Sequence, residues 1–308
     1  MIYTLTLNPS IDQHITVKKL IPKDKLKAED IHLEPGGKGF NLSRVVRELR
    51  GKTKAFGILG GHTGELVKDL LVQERIDHEF CAVKGETRTN LVINDRASGM
   101  QTRINPPGPR LNAGNIHCLL AMLDGVKPRP KYWALCGSLP PGVPENIYQK
   151  LIKRFQDRGE RCVLDTDERP LRLGLKARPF MIKPNKFELA RLLGRACRSE
   201  SEILKAGRKL TQYAEVVAIT LAEKGAYVIT QDGAWHVSAP KVRVKSDIGA
   251  GDSFLGGFLT ALDRGEDLIS CSRWAIAAAT GSVIKEGTAR VRGEDVKRLF
   301  KRVKVKFY

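Results

Sequence analysis

The sequence lacks any long hydrophobic run: its 308 residues contain no stretch close to the ~18 consecutive apolar residues of a membrane helix. The first residues, MIYTLTLNPSID, lack the basic and apolar regions of a secretory signal. Repeats, low-complexity segments and Pro/Gly-rich linkers are also missing. These absences predict a soluble, cytoplasmic protein with no membrane partner, and the length allows one large domain or two smaller ones.

The six cysteines show no CxxC spacing, so the sequence contains no recognisable zinc or redox motif. Several lie in apolar runs such as YWALCG and RCVLD, where a free thiol packs as a small hydrophobic group. A chain of this length does not need disulfides to hold its core. We therefore expect reduced, structural cysteines.

Acidic residues are in deficit, with 34 Asp and Glu against 53 Lys and Arg and a formal net charge of +19. This excess fits nucleic-acid binding, but it also fits a solvated surface that attracts anionic small molecules. The basic residues are spread along the whole chain, without an aromatic-interleaved basic motif or zinc-finger spacing. We therefore expect no nucleic-acid partner.

Short β-rich runs alternate with helical segments over most of the chain, which predicts an α/β fold with a largely parallel sheet. The last helices are predicted at about 250–264 and 266–285, followed by a basic C-terminal helix. Two segments, 12–33 and 88–105, interrupt this alternation and are typical of hairpin strands. We expect them to form a small separate sheet that covers one end of the main domain as a lid.

The run DIGAGDSFLGGF fits neither of two common phosphate-binding loops. The third glycine of a Rossmann fingerprint would fall on Phe254, and the Lys-Ser/Thr pair of a Walker A loop does not follow Gly256. What remains is Gly-Ala-Gly (249–251) at the start of an apolar helix, where backbone N–H groups and the helix dipole stabilise an anion. Asp252 either caps this helix or removes a proton from a hydroxyl that attacks a phosphoryl group. From this run alone, both roles stay open.

Two further stretches suit a sugar and a nucleotide. EPGGKGFNLSRVVREL (34–49) is a glycine-rich loop before an amphipathic helix, and its Asn41 is placed to hydrogen-bond sugar hydroxyls. In IKPNKFEL, Lys183 ends a strand, and Asn185 and Glu188 are three residues apart on one helical face. An amide and a carboxylate so placed suit Mg²⁺, although Glu188 taken alone is more typical of a solvated helix residue.

In this order, the motifs NPSID, PGGKGFN, GGHTGE, TRTN, GSLPPG, KPNKFEL, ITLAEKGA and GAGDSFLGGF resemble the PfkB-type sugar kinases of the ribokinase superfamily. The chain is most similar to their phosphofructokinase and tagatose-6-phosphate kinase branch, over essentially its whole length. The resemblance implies one ribokinase-like domain over 1–308, a three-layer α/β/α sandwich with a mostly parallel sheet and a small β-sheet lid from 12–33 and 88–105. It also implies ATP as co-substrate, Mg²⁺, and a homodimer that forms through the lid.

The resemblance further implies a role for each motif residue. Asp252 would be the base that activates the acceptor hydroxyl, beside an anion hole formed by Gly249, Ala250 and Gly251. The ATP site would contain Lys183, Asn185, Thr220 and Gly225, with Glu188 and Asn185 near the metal. The sugar-phosphate site would contain Asp12, Lys25, Gly37, Asn41, Arg88, Arg103 and Ser138.

One position departs from the family pattern. Many relatives have Asp-Thr two and three residues ahead of the first glycine, as part of a monovalent-cation site, whereas this chain has Ser246-Asp247. This departure leaves a monovalent-cation requirement open. His62 in GGHTGE has no partner for catalysis, and we assign it to a loop or a helix cap.

The substrate of this branch already carries a phosphate, so its site needs cations beyond those for ATP. The fructose-6-phosphate kinases have cationic residues for this phosphate at the positions of Arg88, Lys25 and Arg103. In contrast, the motifs TRTNLVI and INPPGP are similar to those of the fructose-1-phosphate kinases. NPSID occurs in tagatose-6-phosphate kinases too. The sequence therefore predicts an ATP-dependent phosphofructokinase that converts fructose 6-phosphate to fructose 1,6-bisphosphate. The alternatives are a 1-phosphofructokinase, a tagatose-6-phosphate kinase and, as a non-enzyme, a sugar-phosphate-binding regulator.

Overall fold

The structure is a computed structural model that describes residues 1–285 and 287–308. Its strands are β1 (Ile2–Thr6), β2 (Ser10–Val17), β3 (Ala28–Gly36), β4 (Thr53–Gly60), β5 (His78–Val83), β6 (Arg88–Asp95), β7 (Gln101–Ile104), β8 (Tyr132–Cys136), β9 (Arg161–Asp165), β10 (Met181–Ile182), β11 (Val216–Thr220), β12 (Ala226–Ile229), β13 (Ala234–Ser238) and β14 (Lys304–Phe307). Its helices are α1 (Lys38–Glu48), α2 (Gly61–Gln73), α3 (Ala113–Gly125), α4 (Ile147–Gln156), α5 (Glu168–Leu175), α6 (Lys186–Leu193), α7 (Glu200–Leu210), α8 (Ala250–Asp263), α9 (Leu268–Val283) and α10 (Gly293–Phe300).

The main sheet has the strand order β14-β13-β12-β11-β10-β9-β8-β1-β4-β5. The neighbouring strands β11, β10, β9, β8, β1, β4 and β5 all run parallel to one another. β12, β13 and β14 each run antiparallel to their neighbours. The short turns that join β11, β12 and β13 leave no room for a crossover helix, so these neighbours must be antiparallel. The predicted basic C-terminal helix exists as α10, but the last residues form β14, which sequence analysis missed.

Helices cover both faces of this sheet and make three layers. Alternate side chains of β1 separate the two cores: Tyr3 and Leu5 pack with the residues of α3 to α7, while Ile2 packs with those of α1, α8, α9 and α10. Helix α2 joins the second face through a smaller cluster around Phe40 and Leu71. The predicted α/β fold with a mostly parallel sheet, a three-layer sandwich, is therefore confirmed.

A second, four-stranded sheet lies apart from the main one, in the order β3-β2-β6-β7. β2 pairs antiparallel with β3, and β6 with β7, so both interrupting segments contain hairpin strands, as predicted. A parallel pairing of β2 with β6 joins the two hairpins. Large apolar side chains stay exposed here, with Ile31 at 56%, Met100 at 67% and Ile104 at 50%.

The described residues also bear on the expectations about membrane helices and cysteines. Among the described residues, no helix combines the length and apolarity needed to cross a bilayer. The six cysteines are all free thiols, five of them buried and Cys118 exposed.

Candidate active site

The candidate site lies at the carboxyl ends of the parallel strands. β9 ends at Asp165, Lys183 directly follows β10, and β11 ends at Thr220. The N-termini of α1 and α8 bring further polar groups to the same edge. This is where open α/β sheets bind ligands, because strand ends and helix N-termini converge there.

The start of α8 forms a cradle for an anion. Its N-cap, Gly249, has φ 77°, a left-handed conformation that favours glycine. A Cβ on Gly249 would lie 2.8 Å from both the Cβ and the backbone N of Ala289, so the close approach also requires glycine. The bond from Ser253 N–H to the Gly249 carbonyl, at 2.8 Å, is the first regular one of the helix. The amides of Gly251 and Asp252 precede it and are available to an anion.

Asp252 is buried at 7% exposure, and its Oδ2 accepts a hydrogen bond of 2.7 Å from Asn41 Nδ2. Asp252 does not cap α8, since no side chain of the described residues caps that helix. Burial, followed by the negative charge of Asp165, raises the pKa of Asp252 to about 6, while Lys38 and the Asn41 hydrogen bond act in the opposite direction. A carboxylate with a pKa near working pH is suited to general-base catalysis.

Two ammonium groups, those of Lys38 and Lys183, contact a second buried carboxylate, Asp165. Asp165 Oδ1 lies 3.0 Å from Lys38 Nζ and 3.4 Å from Lys183 Nζ, and Glu188 Oε1 is 3.7 Å from Lys38. A Cβ on Gly251 would lie 3.0 Å from Lys183 Nζ, which places that ammonium directly beside the anion cradle. Burial alone would lower the pKa of Lys38, but the nearby Asp165 and Glu188 outweigh it and raise that pKa. Lys38 is therefore held charged.

Sequence analysis missed Lys38 and Asp165 as site residues. Lys38 stands inside the PGGKGFN motif, one residue after Gly37, the N-cap of α1. Asp165 is the last residue of RCVLD, a buried strand that ends in a carboxylate. In both cases the motif was recognised but the charged side chain within it was not, because only the three-dimensional arrangement brings the two side chains together.

Asn185 and Glu188 form a reciprocal cap of α6. Asn185 Oδ1 accepts from the amides of Phe187 and Glu188, at 2.8 and 2.9 Å, and Glu188 Oε2 accepts from the Asn185 amide at 2.8 Å. Within the described residues, no three acidic, His or Cys side chains are grouped to hold a metal. However, Asp165 Oδ2 is buried without a partner, and Glu188 Oε1 is not used by the cap. These oxygens fit Mg²⁺ only if phosphates and water supply most of its ligands.

A second polar cluster lies at the junction of β2, β6 and the loop after β8. Asp12 Oδ1 accepts a bond of 2.7 Å from Asn90, and Asn8 Nδ2 donates to Ser138 Oγ at 3.2 Å. Arg88 donates to the backbone carbonyl of Asn8 at 3.0 Å, while its buried Nε has no hydrogen-bond partner among the described residues. Burial lowers the pKa of Arg88. The structure thus brings Asp12, Arg88 and Ser138 together, with one guanidinium donor free for an anionic ligand.

The model of the pfkB family of carbohydrate kinases matches residues 5–292. The chain belongs to this family. Over 308 residues it is 32% identical to 1-phosphofructokinase from Bacillus subtilis, covering 99% of both chains. It is 31% identical to ATP-dependent 6-phosphofructokinase isozyme 2 from Escherichia coli, covering 97% of both. Crystal structures of the Escherichia coli phosphofructokinase-2, one with potassium and one with substrates and products, match with TM-score 0.93 and 30% identity over 98% of each chain.

In this pfkB-family chain, an arginine of the small sheet contacts the loop that precedes α8. Arg103 of β7 donates through Nη2 to Asp247 Oδ1 at 3.2 Å, in the loop that precedes α8. Lys25 lies in the exposed connection between β2 and β3, and among the described residues no acidic side chain pairs with its ammonium. The structure therefore brings Arg103 next to the start of α8, whereas it gives the exposed Lys25 no ion pair with a described site residue.

Two remaining predicted site residues lie at the ends of the turn between β11 and β12. Thr220 donates its N–H to the Pro184 carbonyl at 3.1 Å, which places it beside the N-terminus of α6. Gly225 closes the turn between β11 and β12 by accepting from Leu221 N–H at 2.8 Å. His62, by contrast, is exposed in the first turn of α2, where its backbone N–H donates to Glu86 Oε1. This position agrees with the expected role in a loop or at a helix cap.

Proposed function

We propose that this chain is an ATP-dependent phosphofructokinase that transfers the γ-phosphoryl group of ATP to a hydroxyl of fructose 6-phosphate, giving fructose 1,6-bisphosphate. One observation carries the proposal: Asp252, buried and with a pKa near 6, stands in the first turn of α8 beside the anion cradle, where Lys38 and Lys183 act on it by charge. A base beside an anion hole is what phosphoryl transfer to a hydroxyl requires.

In the proposed reaction, Asp252 accepts the proton of the acceptor hydroxyl while that oxygen attacks the γ-phosphorus. The bond between the γ-phosphorus and the β–γ bridging oxygen breaks, and ADP leaves with that oxygen. The amides of Gly251 and Asp252 and the ammonium of Lys183 stabilise the negative charge on the transferring group. Lys38, whose ammonium contacts the same Asp165 oxygen as Lys183, adds a second positive charge. Glu188 and Asn185, with Asp165, would hold Mg²⁺ through water, and the ion would neutralise phosphate charge.

The nucleotide and the sugar phosphate are proposed to occupy opposite sides of Asp252. Thr220 and Gly225, close to the cap of α6, would contact the nucleotide. Asp12, Gly37, Asn41 and Ser138 would bind the sugar. Arg88, with its free Nε, and Arg103, which already reaches the α8 loop, would bind the sugar's phosphate, with Lys25 joining them when the lid closes.

The architecture around the site is part of the proposal. We propose a single domain over 1–308 whose four-stranded sheet acts as a lid, and a cytoplasmic homodimer that buries the exposed Ile31, Met100 and Ile104 of that sheet. We propose no nucleic-acid partner for its positive charge. Sedimentation of wild type and of Ile31→Lys tests the dimer: the variant should be monomeric, and a wild-type monomer would contradict the assembly.

A 1-phosphofructokinase is the second candidate, because a relative with this name is 32% identical and the INPPGP motif is shared with such kinases. One assay separates the candidates: ADP release is coupled to NADH oxidation, with fructose 6-phosphate, fructose 1-phosphate and tagatose 6-phosphate as acceptors. We expect the highest kcat/KM for fructose 6-phosphate. A wide margin for fructose 1-phosphate or tagatose 6-phosphate would identify that kinase instead, and no ADP release with any of them would favour a sugar-phosphate-binding regulator. Repeating the assay with added KCl measures the monovalent-cation requirement.

A further inference from the structure

Arg44 is a buried cation that the proposed reaction does not use. It lies on α1, is 3% exposed, and follows Asn41 by one helical turn. Its Nη1 donates to Asn41 Oδ1 at 2.9 Å and to the Thr288 carbonyl at 3.0 Å. Its Nε donates to Glu74 Oε2 at 2.9 Å. A guanidinium has donors only, so each of these contacts requires an acceptor.

The amide of Asn41 has two possible orientations, and only one suits a carboxylate. In the structure Oδ1 accepts from Arg44 while Nδ2 donates to Asp252 Oδ2 at 2.7 Å. The reversed amide would place an NH₂ against a guanidinium that cannot accept, and an oxygen against the carboxylate. Both contacts would be repulsive in a buried site. Arg44 therefore determines which end of Asn41 faces Asp252.

The partners of Arg44 come from separate parts of the fold. Glu34, near the end of lid strand β3, accepts from the Thr288 amide at 3.0 Å and pairs with Arg290 at 3.0 Å. Burial opposes ionisation of Glu34, but Arg44 and Arg290 outweigh it and lower its pKa to about 2. The loop 287–290 also contains the residue that packs against the anion cradle. Arg44 Nη2 itself donates to the Pro35 carbonyl of β3 at 3.4 Å. The guanidinium of Arg44 thus connects β3, this loop and the side chain that contacts Asp252.

We propose that Arg44 is a positioning residue that locks the Asn41 amide with Nδ2 toward Asp252, and so couples the base of the lid to the catalytic carboxylate. This inference rests on the proposed role of Asp252 in the reaction. Arg44 itself touches neither substrate nor reacting atoms. It acts through Asn41, which sets it apart from the groups that act on Asp252 directly by charge, namely Asp165, Lys38 and Lys183.

A titration of Asp252 in the full chain tests the inference without needing turnover. Carbon-13 NMR of aspartate-labelled protein follows the Asp252 carboxyl, identified by its absence in Asp252→Asn. Arg44→Met should raise the titration midpoint of Asp252. Without Arg44 the Asn41 amide can rotate, so its hydrogen bond to the ionised Asp252 is formed only part of the time. Asn41→Ala should raise it too, and adding Arg44→Met to Asn41→Ala should cause no further shift. Glu74→Gln, which disturbs the same guanidinium but leaves its bond to Asn41, is the matched control and should leave the midpoint unchanged.

Two outcomes would overturn the inference: an unchanged midpoint in Arg44→Met, or an equal shift whether or not Asn41 is present, which would mean a direct charge effect. If Arg44→Met does not fold, Arg44→Lys replaces it. Lysine lacks the planar guanidinium fork that holds its donors in fixed directions toward Asn41, Thr288 and Glu74. The midpoint of Arg44→Lys should therefore also rise, and an unchanged midpoint in that variant would overturn the inference too. The acid limb of kcat/KM should move in parallel. If wild type phosphorylates no hexose phosphate, the proposed function fails while the NMR titration still decides the role of Arg44.

Discussion

Replacing Gly249 by alanine tests whether the anion cradle depends on a close approach of two backbones. At φ 77° an alanine incurs a left-handed strain of about 1–2 kcal/mol. Its Cβ would also lie 2.8 Å from the backbone N and the Cβ of Ala289, and relieving such overpacking costs about 1–3 kcal/mol. The sum, about 2–5 kcal/mol, corresponds to a fall in Tm of roughly 4–10 °C. Since relief must displace residues 249–251, kcat should fall by about 10²-fold.

Gly265, just beyond the other end of α8, is the matched control. It has φ 85°, and an added Cβ there would meet no atom within 4 Å, so its alanine variant carries the strain without the clash. We expect Gly265→Ala to lower Tm by roughly 2–4 °C and to keep the wild-type kcat. Calorimetry and the coupled assay measure both variants. Equal Tm values for Gly249→Ala and Gly265→Ala, or a kcat of Gly249→Ala within about twofold of wild type, would show that the anion cradle does not depend on this close approach.

Three further predictions concern charged groups. Because the pKa of Asp252 is about 6 and the base must be ionised, kcat/KM should fall as pH drops through about 6; a profile flat to pH 5 would contradict this. The pKa of Glu34 is lowered from 4.5 to about 2. Its ionised form therefore adds about 3 kcal/mol to the free energy of unfolding above pH 4.5, and this stabilisation is lost as pH falls through 2. Urea unfolding of Glu34→Gln should show that loss at pH 7, and unchanged stability would exclude it. Lys38→Met should lower kcat by about 10²-fold and shift the acid limb upward, since Lys38 lowers the pKa of Asp252; a wild-type profile would remove Lys38 from the site.

Much of the fold could be predicted from the sequence because hydrophobic periodicity and glycine positions are local signals. The helix predicted at 250–264 is observed at Ala250–Asp263, and the glycines Gly256 and Gly257 are buried in its packed faces. The strand β14 was missed because four alternating residues after a basic helix look like a frayed terminus; pairing with β13 determines its structure.

The candidate site was predictable only where a motif carried the signal. Asp252 and Lys183 were found from their loops, and the structure places both at the anion cradle. The ion cluster around Asp165 and the contacts of Arg44 join segments more than 100 residues apart, from Asn41 to Asp252 for example, so no local spacing could reveal them. Asn185 and Glu188 were predicted near a metal, whereas their observed hydrogen bonds cap α6, a role that the S/T/N-x-x-E pattern alone could have indicated.

The most direct test of the account is the turnover of Asp252→Asn. The substitution keeps the size of the side chain and removes the base, so kcat should fall by roughly 10²–10⁴-fold with the fold intact. The folded-state pKa is raised above 3.8, so the ionised carboxylate destabilises the protein above pH 6 by up to about 3 kcal/mol. The variant should therefore melt at a higher temperature than wild type at pH 8. A variant that is inactive and more stable supports Asp252 as the base, and one that retains near-normal kcat would contradict it.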